Sequence, residues 1–137
     1  MSDDWRTHPS VSGPASLLLS VHDQFRAVSA RLQVADLSFA ARMFVPLAQV
    51  LHHHHHAEEA SLFPMVHRRS GDAPAELVTD HEELTNAIAA VQAELSRATL
   101  ARFHDALIAH LDREEALVIP ILLAMTPNEG WAELQGS

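Results

Sequence analysis

Apolar residues recur at alternating steps of three and four along four stretches of the chain, with almost no period-two alternation, so the pattern predicts helices and no sheet. The first stretch starts near Pro14, with Ser12 as its cap and the proline suited to a first turn, and runs to about Gln33. The second runs from about Leu37 to Arg68 and contains Pro46, where a kink or an early break is expected. The third follows the turn Ser70-Gly71-Asp72-Ala73-Pro74, with Asp72 as cap, and ends near Leu95; the fourth spans about Thr99 to Met125. Short connections favour antiparallel neighbours, so the expected fold is all-α, an up-down-up-down four-helix bundle. The bundle should occupy about 14–125 of one domain covering all 137 residues, with short flexible tails at both ends.

The stripes are not purely apolar. In chain order they read Leu18, His22, Phe25 and Leu32, with Val28 beside them; Phe44, Leu47, Leu51, His54, Glu58, Ser61 and Met65; Leu77, His81, Leu84, Ile88, Val91 and Leu95; and Phe103, Leu107, His110, Glu114, Leu117 and Ile121. Every stripe holds a histidine, and the second and fourth add a glutamate one turn later. Residues 54–64 and 110–120 align without a gap as H-x-x-x-E-E-x-x-[LV]-[FI]-P, each preceded by a helix with one core histidine, so the chain reads as two related helical hairpins.

Residues at i and i+4 share a helix face, so each H-x-x-x-E aims an imidazole and a carboxylate into the core. A buried, unpartnered carboxylate costs several kcal/mol or takes up a proton, and a cation removes that cost. His22, His54, Glu58, His81, His110 and Glu114 are too many ligands for one zinc and suit two octahedral-leaning ions with bridging carboxylates. Iron comes first for imidazole plus carboxylate in a bundle core, ahead of manganese or zinc.

Within the histidine run 52–56, helical phase selects His54, which shares its stripe with Leu47, Leu51, Glu58 and Met65; a slip to His55 and Glu59 stays open because Pro46 could rotate the helix. Glu59 and Glu115 are expected to be solvated, with fixing of an imidazole N–H as their functional alternative. Phe25, Phe44, Phe63 and Phe103 read as core. The apolar end of the fourth helix could cover the second helix or a dimer partner.

Composition narrows the chemistry. No cysteine means no thiolate nucleophile and no sulfur-ligated cluster, and no tyrosine excludes phenolate ligands, so a metal must be held by nitrogen and oxygen. A net charge of −9 argues against nucleic acid or an anionic membrane as partner. No secretory pattern opens the chain and no apolar run is of bilayer-spanning length, which makes cytoplasm the expected location and a monomer or homodimer the expected state.

His22, residues 54–64, His81 and the His110/Glu114 pair together resemble the hemerythrin-like, or HHE cation-binding, domain in its bacterial single-domain form, over roughly residues 14–125. The resemblance implies a non-haem di-iron centre with an oxo or hydroxo bridge, Glu58 and Glu114 bridging, and His22, His54, His81 and His110 as terminal ligands. Oxygen-carrying members have a further histidine one turn before the position of His81, where this chain has Leu77. Either His104 or His67 supplies a fifth histidine, or one iron keeps an open site.

Two ferrous ions with two glutamates leave a charge of +2, against zero for a four-carboxylate site, which favours binding or two-electron reduction over attack on strong C–H bonds. The expected function is to bind or reduce O2, H2O2 or NO in oxidative or nitrosative stress defence, with a peroxide-consuming, catalase- or peroxidase-like oxidoreductase as the enzymatic form and no catalytic residue beyond the metal centre. Binding or sensing O2 or iron without turnover is the alternative. A biosynthetic di-iron oxygenase is the third option, and the tight Leu and Phe stripes give no sign of the substrate pocket it would need.

Overall fold

The structure is a computed structural model and describes residues 13–72 and 74–135. Ser12, expected to cap the first helix, lies outside the described residues, as does the N-terminal tail. Among the described residues the chain is all-helical: α1 (Pro14–Val34), α2 (Leu37–Ala57), a π-helical turn (Glu58–Leu62), α3 (Phe63–Ser70), α4 (Ala75–Ala93), α5 (Arg97–Leu123) and α6 (Pro127–Gln135). None of these helices is long and apolar enough to cross a membrane.

Local chemistry explains most boundaries. Asp36 caps α2 by accepting from the Phe39 N–H at 2.9 Å. Ser96 and Thr99 form a reciprocal capping box at the start of α5. Gly71, at φ 85°, ends α3 in the left-handed region that glycine tolerates best. Asp72 does not cap α4: Pro74 holds the N-cap position and no side chain bonds to the helix start.

Pro46 does not break α2. It sits on the exposed face, where solvent can compensate for the backbone bond it forfeits. The interruption falls instead at the π turn, where the Phe63 N–H reaches back to the Glu58 carbonyl immediately before Pro64. The residues after Met125, expected as a tail, form α6. Thr126 and Glu129 cap each other there, and Glu133 accepts from Arg68 and Arg69 of α3.

The core divides into two apolar clusters, met in opposite order on successive antiparallel helices of the bundle. One holds Phe25, Leu51, Leu84, Phe103 and Leu107, with Phe44 edge-on to Phe103 at 5.1 Å; the other holds Leu19, Phe63, Met65, Leu77, Val118 and Ile119. Between them on each helix lie the buried polar residues His22, His55, Glu58, His81, His110, Glu114 and Glu115. Each buried Leu or Phe contributes roughly 1.5–3 kcal/mol. Two dry layers therefore hold a polar layer that would not assemble unaided.

The stripe of α5 departs from expectation beyond Glu114. Leu117 is 39% exposed, whereas Val118, Ile119 and Leu122 are buried against α3 and α1 residues of the second cluster. Steps of three and four average 3.5 residues per turn and slip about 20° per heptad on a straight helix, so Leu117, two heptads beyond Phe103, has drifted about 40° off the core-facing line. The apolar end of this helix thus covers neighbours within the chain.

Candidate metal centre

The polar layer draws on every helix of the bundle. α1 supplies His22, the end of α2 supplies His54 and His55, the π turn begins with Glu58, α4 supplies His81, and α5 supplies His110 and Glu114. The six side chains picked out by helical phase thus converge, and His55 joins them. Two overlapping groups are compact enough to hold a cation: His55, Glu58, His81 and His110, and His22, His54, Glu58 and Glu114, with the ligand atoms of each group all within 4.8 Å of one another.

The two glutamates each face both ways. Glu58 directs Oε1 to His81 Nε2 at 3.1 Å and Oε2 to His54 Nε2 at 2.8 Å. Glu114 directs Oε1 to His110 Nε2 at 3.0 Å and Oε2 to His22 Nε2 at 3.3 Å. A carboxylate that offers one oxygen to each of two donor sets is the geometry of a bridge.

The layer is incomplete as a hydrogen-bonded network. His22 Nε2, His54 Nε2, His55 Nε2, Glu58 Oε2 and both Glu114 oxygens are buried without a hydrogen-bond partner; where they approach one another, the angles are wrong for a bond. Buried polar atoms are nearly always satisfied, and each that is not costs about 1–3 kcal/mol. His81 Nε2 and His110 Nε2 stand 3.1 Å apart, which needs a proton or a cation between them. These side chains fit a metal: the unpartnered atoms are nitrogen and carboxylate oxygen, all facing one another.

A second ring of carboxylates orients the imidazoles. His22 Nδ1 donates to Glu115 at 2.9 Å, His81 Nδ1 to Glu59 at 2.8 Å, and His110 Nδ1 lies 3.4 Å from Asp80. Arg26 donates to Glu115 at 2.8 Å and to Asp112 at 3.0 Å, and Arg113 pairs with Asp80. A proton kept on Nδ1 leaves the Nε2 lone pair free for a metal. Glu115 is buried and bonded, not solvated as expected, whereas the Glu59 side chain is 46% exposed and still reaches its imidazole.

Charge balance follows from this packing. Burial alone would depress the His22 imidazolium, but Glu114, Glu115 and Glu58 around it push its pKa up to about 11, so without metal a proton plays the cation's part. Burial, helped by the neighbouring His81, drives His55 down to about 2 and keeps it neutral. Burial opposes ionisation of Glu58, yet the closeness of Glu114 and of the His22, His54 and His81 imidazoles holds its carboxyl well below the usual range.

His55 is the residue that helical phase missed, and it corrects the search for a fifth histidine. Its ring stacks on His81 at 3.8 Å, while His54 meets His22 edge-on at 5.4 Å and Phe25 at 5.2 Å. His67 is exposed, and His104 pairs with Ser29 Oγ at 2.8 Å, outside both groups. The alternative frame of His55 and Glu59 does not replace His54 and Glu58; two adjacent histidines enter the layer from either side of the stripe. The available signal was Leu51, a buried residue one turn before His55.

The structure also holds a space of which the Leu and Phe stripes gave no sign. A cavity of about 360 Å³ adjoins His54 and Glu58. The family model described as the hemerythrin HHE cation binding domain matches residues 13–122. No curated protein and no solved structure matches the chain.

Proposed function

The chain belongs to the hemerythrin HHE cation-binding family, with a buried His/Glu metal-binding site, and from that premise we propose that it is a non-haem di-iron protein that binds or reduces O2, H2O2 or NO in oxidative or nitrosative stress defence. The observation that carries this reading is the two-way aim of Glu58 and Glu114, which supports a pair of ions over one. In this reading His55, Glu58, His81 and His110 would hold the first ion, and His22, His54, Glu58 and Glu114 the second. Nitrogen-rich, mixed N/O ligation suits iron better than magnesium or calcium, with manganese or zinc as lesser fits. A ferrous pair, once bound, supplies the two electrons that a small oxidant takes up.

The chain's own groups set the conditions for that chemistry. Two glutamates against five neutral imidazoles give the site little negative charge, so it favours binding and two-electron reduction. The dry clusters on both sides exclude water and strengthen each electrostatic contact. Glu115, held by Arg26, keeps the His22 proton on Nδ1. Of the two positions, the second is the one that adjoins the cavity through His54. A small oxidant would enter there.

The test starts from anaerobic protein loaded with ferrous iron, with iron content measured per chain. O2 is admitted while the near-ultraviolet and visible spectrum is recorded, and argon is then swept through. An irreversible spectral change together with peroxide consumption supports reduction; a change that reverses under argon assigns the protein to binding or sensing. Folded protein that shows no iron-dependent spectrum refutes the di-iron reading.

A further inference from the structure

The cavity beside the metal centre is the wrong size and the wrong chemistry to serve a diatomic oxidant alone. At about 360 Å³ it has roughly ten times the share of volume of one water molecule in the liquid, about 30 Å³, and falls in the range of small-molecule sites. Its walls are apolar, formed by Leu17, Leu18, Val21, Leu62, Leu122 and Leu134, with Trp131 beside them. Apart from the indole, its polar side chains are His54, Glu58 and Ser61. Leu17 at 55% and Trp131 at 36% exposure mark its mouth, whereas Glu58 at 4% marks its floor. Glu58 Oε2 and His54 Nε2 have no hydrogen-bond partner there.

The outer wall lies beyond the part of the chain that the family model matches. The family match ends at residue 122, and Trp131 and Leu134 come from α6 beyond it. α6 is seated tightly: a Cβ added at Gly130 would lie 2.9 Å from Pro14 Cγ, so only glycine lets the helix approach the first turn of α1 this closely. Its far side is tied to α3 through Glu133 with Arg68 and Arg69. On the inner side, the π turn supplies Glu58, Ser61 and Leu62, and such turns often mark functional sites.

We propose that this cavity binds a small aliphatic monocarboxylate, its chain against the apolar walls and its carboxylate at the metal position of His22, His54, Glu58 and Glu114. The inference rests on the metal reading above. It follows from His54 and Glu58, which both line the cavity and belong to that group, from a floor that holds the cavity's polar groups, and from walls without Lys or Arg, which leave the metal as the countercharge for an anionic head.

The test uses octanoate and the fluorescence of Trp131, isolated by Trp5→Phe because the chain has two tryptophans. Full-length protein with its iron content measured should give a saturable change. Affinity should fall at least tenfold without metal, where Glu58 and Glu114 repel the head. It should fall at least tenfold in Leu18→Trp, or in Val21→Phe should the first not fold, with iron content unchanged. No saturable change in iron-loaded protein overturns the proposal, as does equal affinity with and without metal. Binding that appears only after residues 1–12 are removed overturns it too, by making that segment the occupant. A chain that takes up no iron is recognised by metal analysis beforehand and removes both readings together; failure with iron in place removes this one alone.

Discussion

Replacing His55 by leucine should stabilise the metal-free protein and weaken the metal-loaded one. His55 is 7% exposed, is held neutral by burial and the neighbouring His81, and carries a buried Nε2 without a hydrogen-bond partner. Leaving such an atom unsatisfied costs about 1–3 kcal/mol, which leucine of similar size removes. The lost stacking on His81, at 3.8 Å, returns about 0.5–1.5 kcal/mol of that gain. The net expectation is a metal-free variant more stable by about 1 kcal/mol, a rise of roughly 3–5 °C in Tm. With iron the sign reverses. The first position loses one of three imidazoles, iron content falls from two toward one per chain, and the stabilisation that bound metal adds by mass action shrinks. Calorimetry of both forms, paired with iron analysis, reads the two effects. A metal-free variant less stable than the parent would refute the unsatisfied-atom argument, and retention of two irons at unchanged affinity would refute ligation by His55.

Glu115→Gln should weaken iron binding about 10–100-fold, as loss of an imidazole-orienting carboxylate typically does, whereas Glu59→Gln, with its side chain 46% exposed, should cost less; competition with a chelator ranks the two. Leu77→Ala should lower stability by about 2–5 kcal/mol in a denaturant titration and leave iron content unchanged, because Leu77 is fully buried in an apolar cluster and belongs to neither ligand group. The metal-free protein should lose stability as pH rises. His22 is raised from 6.5 to about 11, so its contribution is complete below 6.5 and is lost as pH climbs through 11, at up to about 1.4 kcal/mol per pH unit between. Iron-loaded protein should lack that loss, since the cation replaces the proton; denaturation of both forms from pH 7 to 10 compares them.

What the sequence determined by itself is what helical geometry makes local. The spacing of His54 to Glu58 and of His110 to Glu114 puts each pair on one face in any α-helix, and the lone His22 and His81 sit in stripes whose apolar partners are plain. Four helices, their order and six converging side chains follow from that. Tertiary structure decided whatever depends on how a helix is turned toward its neighbours. His54 and His55 lie about 100° apart on one helix, and local phase must choose between them; the bundle admits both, because His22 and Phe25 receive one ring and His81 receives the other. The same E-E-x-x-[LV]-[FI]-P run yields a π turn before Pro64 and an unbroken helix through Pro120, so its surroundings choose between the two outcomes. Glu115 is buried only because Arg26 and His22 of another helix meet it, and α6 closes the cavity only because Gly130 meets Pro14 across the fold. Periodicity records which residues share a face; it carries no record of what stands opposite.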